Sequence, residues 1–357
     1  MRIVAFERAQ TGGRRGPRRG ELHEAYRGME ELEPVPRAGC RVGAWIEAQE
    51  DDRGGEPFDV IDLQRALALL LATRDSGAPD AEASSQLPAE PTAFFRIFEA
   101  AEKSARRAEA FVHRLLKRFA ASELARVGVL ERSAALRLRA PVPRPGKILA
   151  VARNYPAHAA EQGGARPEEP VLFLKASSAV IGSGDPIVLP KVSREVDYEG
   201  ELAVVIGRRA KDLAADDALS CVAGYTAAND VSARDWQGVR GQHFIGKSFD
   251  GFAPLGPWLV TRDAIADPQD LLLTTRVSGE VLQQARTKEM SFPVAELLAF
   301  ASRITVLEPG DVFLTGTPAG VGKARKPPRW LRAGDVVEVE IEHVGTLSNP
   351  VLENGAD

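Results

Sequence analysis

The sequence predicts a β-rich α+β fold, and three observations support this class. Apolar segments of strand length dominate the chain after residue 146. Strands and helices do not alternate regularly there, and no internal repeat is present, which argues against a doubly wound parallel sheet. A long amphipathic helical pattern in the N-terminal half supplies the α component.

Residues 1–62 are predicted to form a small β module. A turn is indicated by QEDDRGGEP, and the apolar run DLQRALALLLATR after the module predicts a helix with Asp62 as its N-cap. Three segments of the module show partial alternation of apolar and polar residues, as strands do. They are RIVAFE, RVGAWIEA and PFDVIDL.

A helical segment, residues 63–126, is expected to enlarge this N-terminal domain. Asp75 to Pro91 is small, polar and Pro-containing, and we interpret it as a flexible connection. After it, apolar residues recur at helical spacing, with Lys and Arg on the opposite face. His113 lies next to this stripe, where a structural or surface histidine is far more common than a metal ligand. The stripe consists of Phe94, Phe98, Ala101, Ala105, Ala108, Phe111, Val112, Leu115 and Phe119.

A proline-rich connector ends the N-terminal domain. Arg139 to Gly146 holds three prolines in eight residues, which predicts a stiff, extended link. We therefore place an N-terminal domain at residues 1–140 and a strand-rich second domain at residues 146–357. The predicted strands of the second domain are KILAVA, PVLFLK, ELAVVIG, LLLTTRVSG, DVFLTG and DVVEVEIEHVG, and its predicted helices are PAHAAEQG and FPVAELLAFASRI.

Charge and hydropathy exclude several function classes. The net charge of −4 does not predict a nucleic-acid partner, and the Arg-rich stretch Gly12 to Gly20 is expected to be a solvated loop. The start of the chain has no signal-peptide h-region, and the longest apolar run is too short to cross a membrane. Two distant cysteines predict neither a disulfide framework nor a zinc cluster. We expect a cytoplasmic enzyme.

Two carboxylates lie close together near the start of the predicted strand VDYEGELAVVIG, Val196 to Gly207. Glu199 and Glu201 are two residues apart and would share one face of the strand with buried apolar residues. Asp197 has the same spacing to Glu199. The two glutamates are either exposed at a strand end or held together by a divalent cation, because burying them unpaired would be costly. Oxygen ligands favour Mg²⁺, Mn²⁺ or Ca²⁺.

A third carboxylate is available in GYTAANDVSARDWQ, Gly224 to Gln237. Asp230 follows an apolar segment where a strand is expected to end, whereas Asp235 lies in a predicted helical turn. Asp230 could ligate a metal ion or cap that helix, and spacing alone does not separate the two roles.

Other polar residues could take part in acid–base chemistry. His158 and Glu161 lie at i and i+3 of a predicted helix, so they form either a general base with its orienting carboxylate or an ordinary surface pair. Lys247, between a glycine and aromatic residues, could stabilise an oxyanion or pack its stem on the rings.

A glycine-rich loop, LTGTPAGVG from Leu314 to Gly322, follows a predicted strand. Its backbone N–H groups could hold a carboxylate or a phosphate. The loop lacks the ending of a P-loop, and the chain has no GxGxxG, GxSxG or HExxH motif. Nucleotide binding, a serine-hydrolase site and a histidine-rich metal site are therefore disfavoured.

Seven stretches, in this order, resemble the fumarylacetoacetate hydrolase family. The resemblance covers roughly residues 146–352, whereas the first 145 residues match less well. It implies a mixed β-sheet roll with a small N-terminal domain, usually as a homodimer, and here this domain would be enlarged by helices. The stretches are ILAVARNYPAHAAEQ, PVLFLK, VDYEGELAVVIG, AGYTAANDVSARDWQ, GKSFDGFAPLGPW, EPGDVFLTGTPAGVG and GDVVEVEIEHVGTLSNPV.

The resemblance also implies roles for individual residues. His158 and Glu161 match a water-activating dyad on a mobile lid, and Lys247 matches a lysine near a developing enolate. The implied metal ligands for Mg²⁺ or Mn²⁺ are Glu199, Glu201 and Asp230, and the implied substrate-binding residues are Lys175, Arg234, Gln237 and Thr317.

The reaction implied by this resemblance is hydrolysis of a C–C bond in a 2,4-dioxo acid of the acylpyruvate or fumarylpyruvate type. The 2-oxo acid would chelate the metal, His158 would activate water, and Lys247 would stabilise the enolate that leaves. Decarboxylation of oxaloacetate, isomerisation or decarboxylation of dienoates from aromatic breakdown, and hydration remain alternatives on the same metal platform. A catalytically silent binding protein is a further alternative.

Overall fold

The structure is a computed structural model that describes residues 1–8, 39–50, 56–74, 76–238 and 242–355. The predicted Arg-rich loop at Gly12 to Gly20 and most of the predicted turn QEDDRGGEP lie outside the described residues. The chain divides into two units, Met1–Arg139 and Ala140–Asp357. No helix in the described part of the chain is long and apolar enough to span a membrane.

In its described residues, the first unit combines an antiparallel sheet with five α-helices. Its sheet has the strand sequence β4–β3–β2–β1, and β5 also pairs with β1. The strands are β1 (Arg2–Arg8), β2 (Arg41–Gln49), β3 (Phe58–Asp62), β4 (Leu130–Glu131) and β5 (Leu136–Arg139). The helices are α1 (Leu63–Ala72), α2 (Pro79–Gln86), α3 (Pro91–Arg96), α4 (Phe98–Leu115) and α5 (Ala121–Arg126).

Helix α1 begins where the sequence predicts it. The Asp62 side chain caps the helix by accepting the Arg65 backbone N–H at 3.1 Å. The same carboxylate, fully buried, accepts hydrogen bonds from Arg41 Nε at 2.6 Å and from Arg8 Nη2 at 2.9 Å. Burial alone would raise the pKa of Asp62, but these guanidinium groups hold that pKa below its ordinary value.

We expect Asp62→Ala to destabilise the first unit by about 3–5 kcal/mol, because it leaves two guanidinium groups without their buried partner. Urea denaturation followed by circular dichroism measures this loss. Asp80→Ala is the matched control, since Asp80 pairs with Arg65 at 3.3 Å but is a quarter exposed. Its expected loss is about 1 kcal/mol or less, and equal losses in both variants would refute the role of Asp62.

Two expectations for the helical segment are corrected. The predicted flexible connection contains α2, because Pro79 favours the first helical turn, Asp80 and Glu82 complement its dipole, and Ala83 is buried. The amphipathic stripe is divided among α3, α4 and the residues after them, with a break at Ile97, whose φ is −123°.

The stripe itself faces the core. The break at Ile97 lets three phenylalanine rings pack at centroid distances of 5.3–5.7 Å. His113 is exposed, as a surface histidine would be. Phe119 is only partly buried, whereas the other stripe residues are buried: Phe94, Phe98, Ala101, Ala105, Ala108, Phe111, Val112 and Leu115.

The described part of the second unit is built on two sheets and a short strand pair, and it carries five α-helices. The strands are β6 (Ile148–Ala152), β7 (Val171–Lys175), β8 (Val180–Ile181), β9 (Ile187–Leu189), β10 (Val196–Asp197), β11 (Gly200–Ile206), β12 (Val222–Asn229), β13 (Ser232–Ala233), β14 (Ala253–Thr261), β15 (Leu272–Val277), β16 (Glu280–Arg286), β17 (Val312–Leu314), β18 (Val336–Ile341) and β19 (Gly345–Glu353). The helices are α6 (Pro156–Glu161), α7 (Ala215–Ala218), α8 (Arg234–Gln237), α9 (His243–Lys247) and α10 (Val294–Ile304).

Both sheets of the second unit are mixed. One has the order β14–β12–β11–β17–β6–β7, with β8 parallel to β14 and β6 parallel to β17. The other has the order β16–β15–β18–β19–β9, with β9 parallel to β19. One buried apolar cluster includes residues of both sheets, such as Leu202 and Val339. The predicted β-rich α+β class is confirmed.

Strand β14 was not predicted, because it contains Pro254 and Pro257, which cannot donate ladder hydrogen bonds. Pro257 lies where the register with β12 is irregular, between the pairs Tyr225–Val260 and Ala227–Gly256, whereas Pro254 pairs with Ile181 of β8.

Candidate active site

Three buried carboxylates meet where β11 begins and β12 ends. Glu199 precedes β11, Glu201 lies in it, and Asp230 follows β12. The antiparallel register pairs Gly200 with Asn229, and the Asp230 N–H donates to Glu199 O at 2.8 Å, so the backbone holds the three residues together. One ligand oxygen from each carboxylate lies within 4.8 Å of the other two. At 4%, 1% and 1% exposure, respectively, these are not surface acids.

The prediction of one continuous strand through Glu199 and Glu201 is wrong in one respect. Strand β10 ends at Asp197 and β11 begins at Gly200, so Glu199 lies in a break between two strands. Gly200 is required there, because a Cβ would lie 2.0 Å from Thr275 Oγ1. The two glutamates therefore meet through the geometry of the break and not through strand alternation alone.

Asp197 is separated from this group by its own partners. Its carboxylate accepts Arg234 Nε at 2.8 Å and the backbone N–H groups of Gly322 and Lys323 at 2.7 and 3.1 Å. The ambiguity between Asp197 and Glu201 as partner of Glu199 is thereby resolved in favour of Glu201. Asp230 also does not cap α8, whose N-cap is Ala233.

Three cationic side chains surround the carboxylates. Lys247 Nζ donates to Glu199 Oε2 at 2.6 Å and to Asp230 Oδ2 at 2.5 Å. Lys175 Nζ donates to Asp230 Oδ1 at 2.5 Å, and Arg234 Nη2 lies 2.7 Å from Glu199 Oε1. Lys247 is the last residue of α9 and lines the cavity described below, whereas Lys175 and Arg234 are buried and are absent from the described lining of that cavity.

Charge and burial act differently on the two glutamates. Burial, reinforced by the charges of Asp230 and Glu199, raises the pKa of Glu201 well above its ordinary value. Burial would also raise the pKa of Glu199, but the charges of Lys247 and Arg234 overcome it and hold that pKa low. Among the described residues, Glu201 has no Lys or Arg partner and accepts only the Gly316 N–H, at 2.6 Å. Its negative charge is therefore the least compensated of the three.

The donor set fits a hard divalent cation. Three carboxylates supply oxygen ligands only, which suits Mg²⁺, Mn²⁺ or Ca²⁺ better than zinc. A cation would also supply the positive charge that Glu201 lacks.

His158 and Glu161 form the contact that their spacing predicts. His158 Nδ1 lies 2.7 Å from Glu161 Oε1, and the other oxygen of Glu161 accepts the Gly320 N–H at 2.8 Å. Gln162 Nε2 lies 2.9 Å from His158 Nε2. In the tautomer that satisfies both contacts, Nδ1–H donates to Glu161 and Nε2 accepts from Gln162. His158 is 4% exposed, so the interpretation as an ordinary surface pair is excluded.

The glycine-rich loop after β17 binds carboxylates of the protein itself. Its N–H groups donate to Glu201 from Gly316, to Glu161 from Gly320 and to Asp197 from Gly322. The loop therefore fixes one carboxylate of the candidate cation site and the carboxylate that pairs with His158 relative to each other. The sequence indicated that this loop could hold a carboxylate, but the phosphate alternative is unsupported.

These groups open into one cavity of about 260 Å³. Of the residues expected at the site, the cavity is lined by His158, Glu199, Glu201, Gln237, Lys247 and Thr317. Thr317 is fixed, since its hydroxyl donates to Gly200 O at 2.9 Å and accepts Gln283 Nε2 at 2.7 Å.

Six lining residues were not predicted: Val151, Ala152, Arg153, Gln162, Phe173 and His243. Arg153 and Gln162 flank His158 within the stretch already quoted, so proximity in sequence could have indicated them. The rings of Phe173 and His243 stack at 4.9 Å, and His243 Nδ1 lies 3.0 Å from Gln237 Nε2. That stacking joins β7 to α9, a contact for which the sequence carries no signal.

Comparison with known proteins identifies the family to which the chain belongs. Residues 147–352 match the family described as "Fumarylacetoacetate (FAA) hydrolase C-terminal". The chain belongs to the fumarylacetoacetate hydrolase family. The predicted family is thus confirmed, and all of the site residues named above lie within the matched part of the chain.

Relatives in the fumarylacetoacetate hydrolase family carry several activities in their names. "Oxaloacetate tautomerase fahd2, mitochondrial" of Xenopus laevis is 50% identical over 217 residues, which are 60% of this chain and 68% of that protein. A structure titled as a 2-hydroxyhepta-2,4-diene-1,7-dioate isomerase from Mycobacterium marinum is 43% identical, with a TM-score of 0.57, covering 64% of this chain and 82% of that one. Fumarylacetoacetate hydrolase from Exiguobacterium antarcticum is 33% identical, with a TM-score of 0.67, covering 99% of this chain and 100% of that one.

The chain therefore belongs to a family of enzymes, and its candidate site has carboxylates that could hold a divalent cation. The family match lies in the second unit, at residues 147–352, whereas the Exiguobacterium structure extends the similarity to the N-terminal unit. The Xenopus protein is described as mitochondrial, so the predicted cytoplasmic location gains no support from it.

Proposed function

We propose that this chain catalyses the interconversion of the enol and keto forms of a 2-oxo acid, with oxaloacetate as the substrate, in the presence of Mg²⁺ or Mn²⁺. One observation carries the proposal. A single cavity brings together a carboxylate group that could hold a cation, a lysine amine and an imidazole paired with a carboxylate. Removal of a proton next to a carbonyl needs these groups, because one must accept the proton and the others must stabilise the oxyanion.

Glu199, Glu201 and Asp230 would hold the cation. When bound, it would act as a Lewis acid on the carboxylate and keto oxygens of the 2-oxo acid.

His158 is the group that moves the proton. In the tautomer described above, its Nε2 carries the lone pair, and Glu161 stabilises the imidazolium that forms when Nε2 accepts the C3 proton of the substrate. The Gln162 amide occupies Nε2 and must move away first; Gln162 is an exposed residue directly after α6, so this movement is sterically simple. Return of the proton to the substrate oxygen completes the tautomerisation without a net change of protons.

Lys247 keeps its charge during this step. Burial would lower the pKa of Lys247, but the charges of Asp230 and Glu199 outweigh burial and raise it. An ammonium group that lines the cavity therefore faces the substrate oxygen on which negative charge develops. Gln237 and Thr317 line the same cavity and are proposed to bind the polar end of the substrate, while Lys175 and Arg234 hold Asp230 and Glu199 in place.

The similarity to named relatives supports tautomerisation over the other reactions that such a cavity allows. The tautomerase of Xenopus laevis is half identical across the matched region, and the structure from Mycobacterium marinum is titled as an isomerase. Both names describe reactions in which a proton moves on an enolisable acid.

Hydrolysis of a C–C bond in a 2,4-dioxo acid is the second candidate. The His158–Glu161 pair favours it, since such a pair can also deprotonate water, and the full-length structural match is a fumarylacetoacetate hydrolase. A homodimer and a cytoplasmic location remain predictions for either activity.

A substrate panel with product identification tests the proposal. Loss of enol-oxaloacetate absorbance should accelerate in the presence of the protein and Mg²⁺ or Mn²⁺, and EDTA should abolish the acceleration. Acylpyruvates and fumarylpyruvate are assayed in parallel by chromatography of the products. Cation-dependent cleavage of acylpyruvates without tautomerisation of oxaloacetate would replace the proposal with the hydrolase, and neither activity would refute both.

A further inference from the structure

The position of Arg153 on the cavity wall is conformationally unusual. The residue directly follows β6 and has φ of +54°, a left-handed conformation that non-glycine residues rarely adopt. Strain of this kind persists where the surrounding structure fixes a side chain for function. Arg153 lines the cavity together with Glu199, Lys247 and His158.

Gly164 makes room for the Arg153 guanidinium. A Cβ at position 164 would lie 3.0 Å from Arg153 Nη1 and 3.8 Å from its Cδ. Gly164 does not adopt a left-handed φ, so its backbone conformation does not require glycine. The absence of a side chain at Gly164 instead provides the space that the guanidinium occupies.

Arg153 differs from the other cations of the site because it has no anionic partner among the described residues. Lys175, Lys247 and Arg234 each contact a carboxylate. In the part of the chain that the structure describes, no hydrogen bond or ion pair engages the Arg153 guanidinium, although the residue is half-buried. Its charge nevertheless acts on the cavity: burial and the charge of Lys247 lower the pKa of His243, and Arg153 adds to this effect.

A half-buried guanidinium without a partner is suited to an anionic ligand. Its planar N–H groups match a carboxylate in a bidentate arrangement. The carboxylates of the proposed cation site would engage the 2-oxo acid end of the substrate through the cation, which leaves Arg153 for a different group. The cavity volume of about 260 Å³ lies below the range of about 300–1,000 Å³ that is typical for drug-sized ligands, so the second anionic group must be close to the first.

We propose that Arg153 binds the second carboxylate of a short dicarboxylic 2-oxo acid and so selects dicarboxylates over monocarboxylic 2-oxo acids. This inference rests on the proposed function, and it defines the substrate class of the same site. Arg153 is a specificity-determining residue and takes no part in proton transfer.

The kinetic test compares oxaloacetate with its 4-ethyl ester, which keeps the 2-oxo acid and lacks the second charge. Arg153→Gln should lower kcat/KM for oxaloacetate by about 10- to 100-fold, the loss expected for a charged hydrogen-bonded pair. The fold-loss in kcat/KM for the ester should be at least tenfold smaller than the fold-loss for oxaloacetate. Arg166→Gln is the matched control, because Arg166 is exposed and is not among the described lining residues. Equal losses for both substrates, or no loss for oxaloacetate, would overturn the inference.

A second variant covers the case in which Arg153→Gln fails to fold. Gly164→Ala introduces a Cβ that displaces the guanidinium while the backbone remains in an allowed conformation. The preference for oxaloacetate over its ester should fall about 3- to 10-fold, as expected for a hydrogen bond that is weakened and not removed. An unchanged preference in a folded Gly164→Ala protein would contradict the role of Arg153.

A binding measurement separates this inference from the proposed activity. Calorimetry in Mg²⁺ compares malate with lactate, two 2-hydroxy acids that differ in the second carboxylate. The wild-type protein should bind malate at least tenfold more tightly, and Arg153→Gln should remove most of that preference. If oxaloacetate is not tautomerised but the malate preference depends on Arg153, the proposed function fails and the inference stands. Equal binding of malate and lactate by the wild-type protein refutes the inference whatever the activity.

Discussion

Glu201→Gln is expected to lower divalent-cation affinity and activity strongly while it stabilises the cation-free protein. The pKa of Glu201 is raised by burial and by the charges of Asp230 and Glu199, so its negative charge is unfavourable without a cation. Glutamine removes that charge and keeps an oxygen for the Gly316 N–H. We expect a gain of about 0.5–2 kcal/mol in the free energy of unfolding in EDTA, a loss of at least about 100-fold in Mg²⁺ affinity and a loss of about 1,000-fold in kcat.

The pH dependence of this stabilisation follows from the sign of the shift. An acid whose folded-state pKa is raised binds a proton that the unfolded chain releases, so wild-type stability falls as pH rises from about the ordinary value of 4.5 towards the raised value. The advantage of Glu201→Gln should therefore be absent near pH 4.5 and grow with pH. Urea denaturation in EDTA at several pH values measures it.

Glu296→Gln is the matched control for Glu201→Gln. Glu296 is exposed on α10, so its replacement should change neither cation affinity nor stability by a measurable amount. If Glu201→Gln binds Mg²⁺ as tightly as the wild-type protein, the assignment of the cation site is wrong. If it lowers stability in EDTA, the charge repulsion inferred at Glu201 is wrong.

His158→Asn is expected to lower kcat by about 10²- to 10⁴-fold, because the variant loses the group that exchanges the substrate proton. Mg²⁺ affinity, measured by calorimetry, should stay within about twofold, since no ligand of the cation site is altered. Glu161→Gln should lower kcat less, because the imidazole remains and only the charge that stabilises its protonated form is lost.

His113→Asn is the histidine control for this experiment. His113 is exposed on α4 in the other unit, and its replacement should leave kcat unchanged. Full tautomerase activity in His158→Asn would show that another group transfers the proton. An equal loss of Mg²⁺ affinity and kcat would instead indicate that His158 acts only on the structure of the cation site.

Predictions from the sequence were correct where all the residues that determine a feature lie in one short segment. The start of α1 at Asp62 follows from a capping residue before an apolar run, and the contact of His158 with Glu161 follows from helical spacing. The β-rich class follows from many strand-length apolar segments. These features depend on residues close in sequence, whose geometry is set by the backbone dihedral angles of one helix or strand.

Expectations that needed packing information were less reliable. The break of the long helical pattern at Ile97 serves the contacts of three phenylalanine rings, and the formation of α2 depends on burial of Ala83. Strand β14 tolerates Pro257 because its register with β12 is irregular at that point. In each case a tertiary contact overrides the local preference.

The sequence by itself predicted the family, the fold class and several residues of the candidate site, namely Glu199, Glu201, Asp230, His158, Glu161 and Lys247. Only the tertiary structure decided which carboxylate faces which partner. Asp197 and Glu201 have the same spacing to Glu199, but their partners differ. Asp197 accepts hydrogen bonds from the Arg234 guanidinium and from two backbone N–H groups that are 125 and 126 residues away in sequence. Glu201 accepts one backbone N–H, 115 residues away, and no positively charged side chain among the described residues donates to it. Arg153, likewise, is distinguished by the lack of an anionic partner among the described residues. Such differences arise from the summed electrostatic field of groups that only folding brings together.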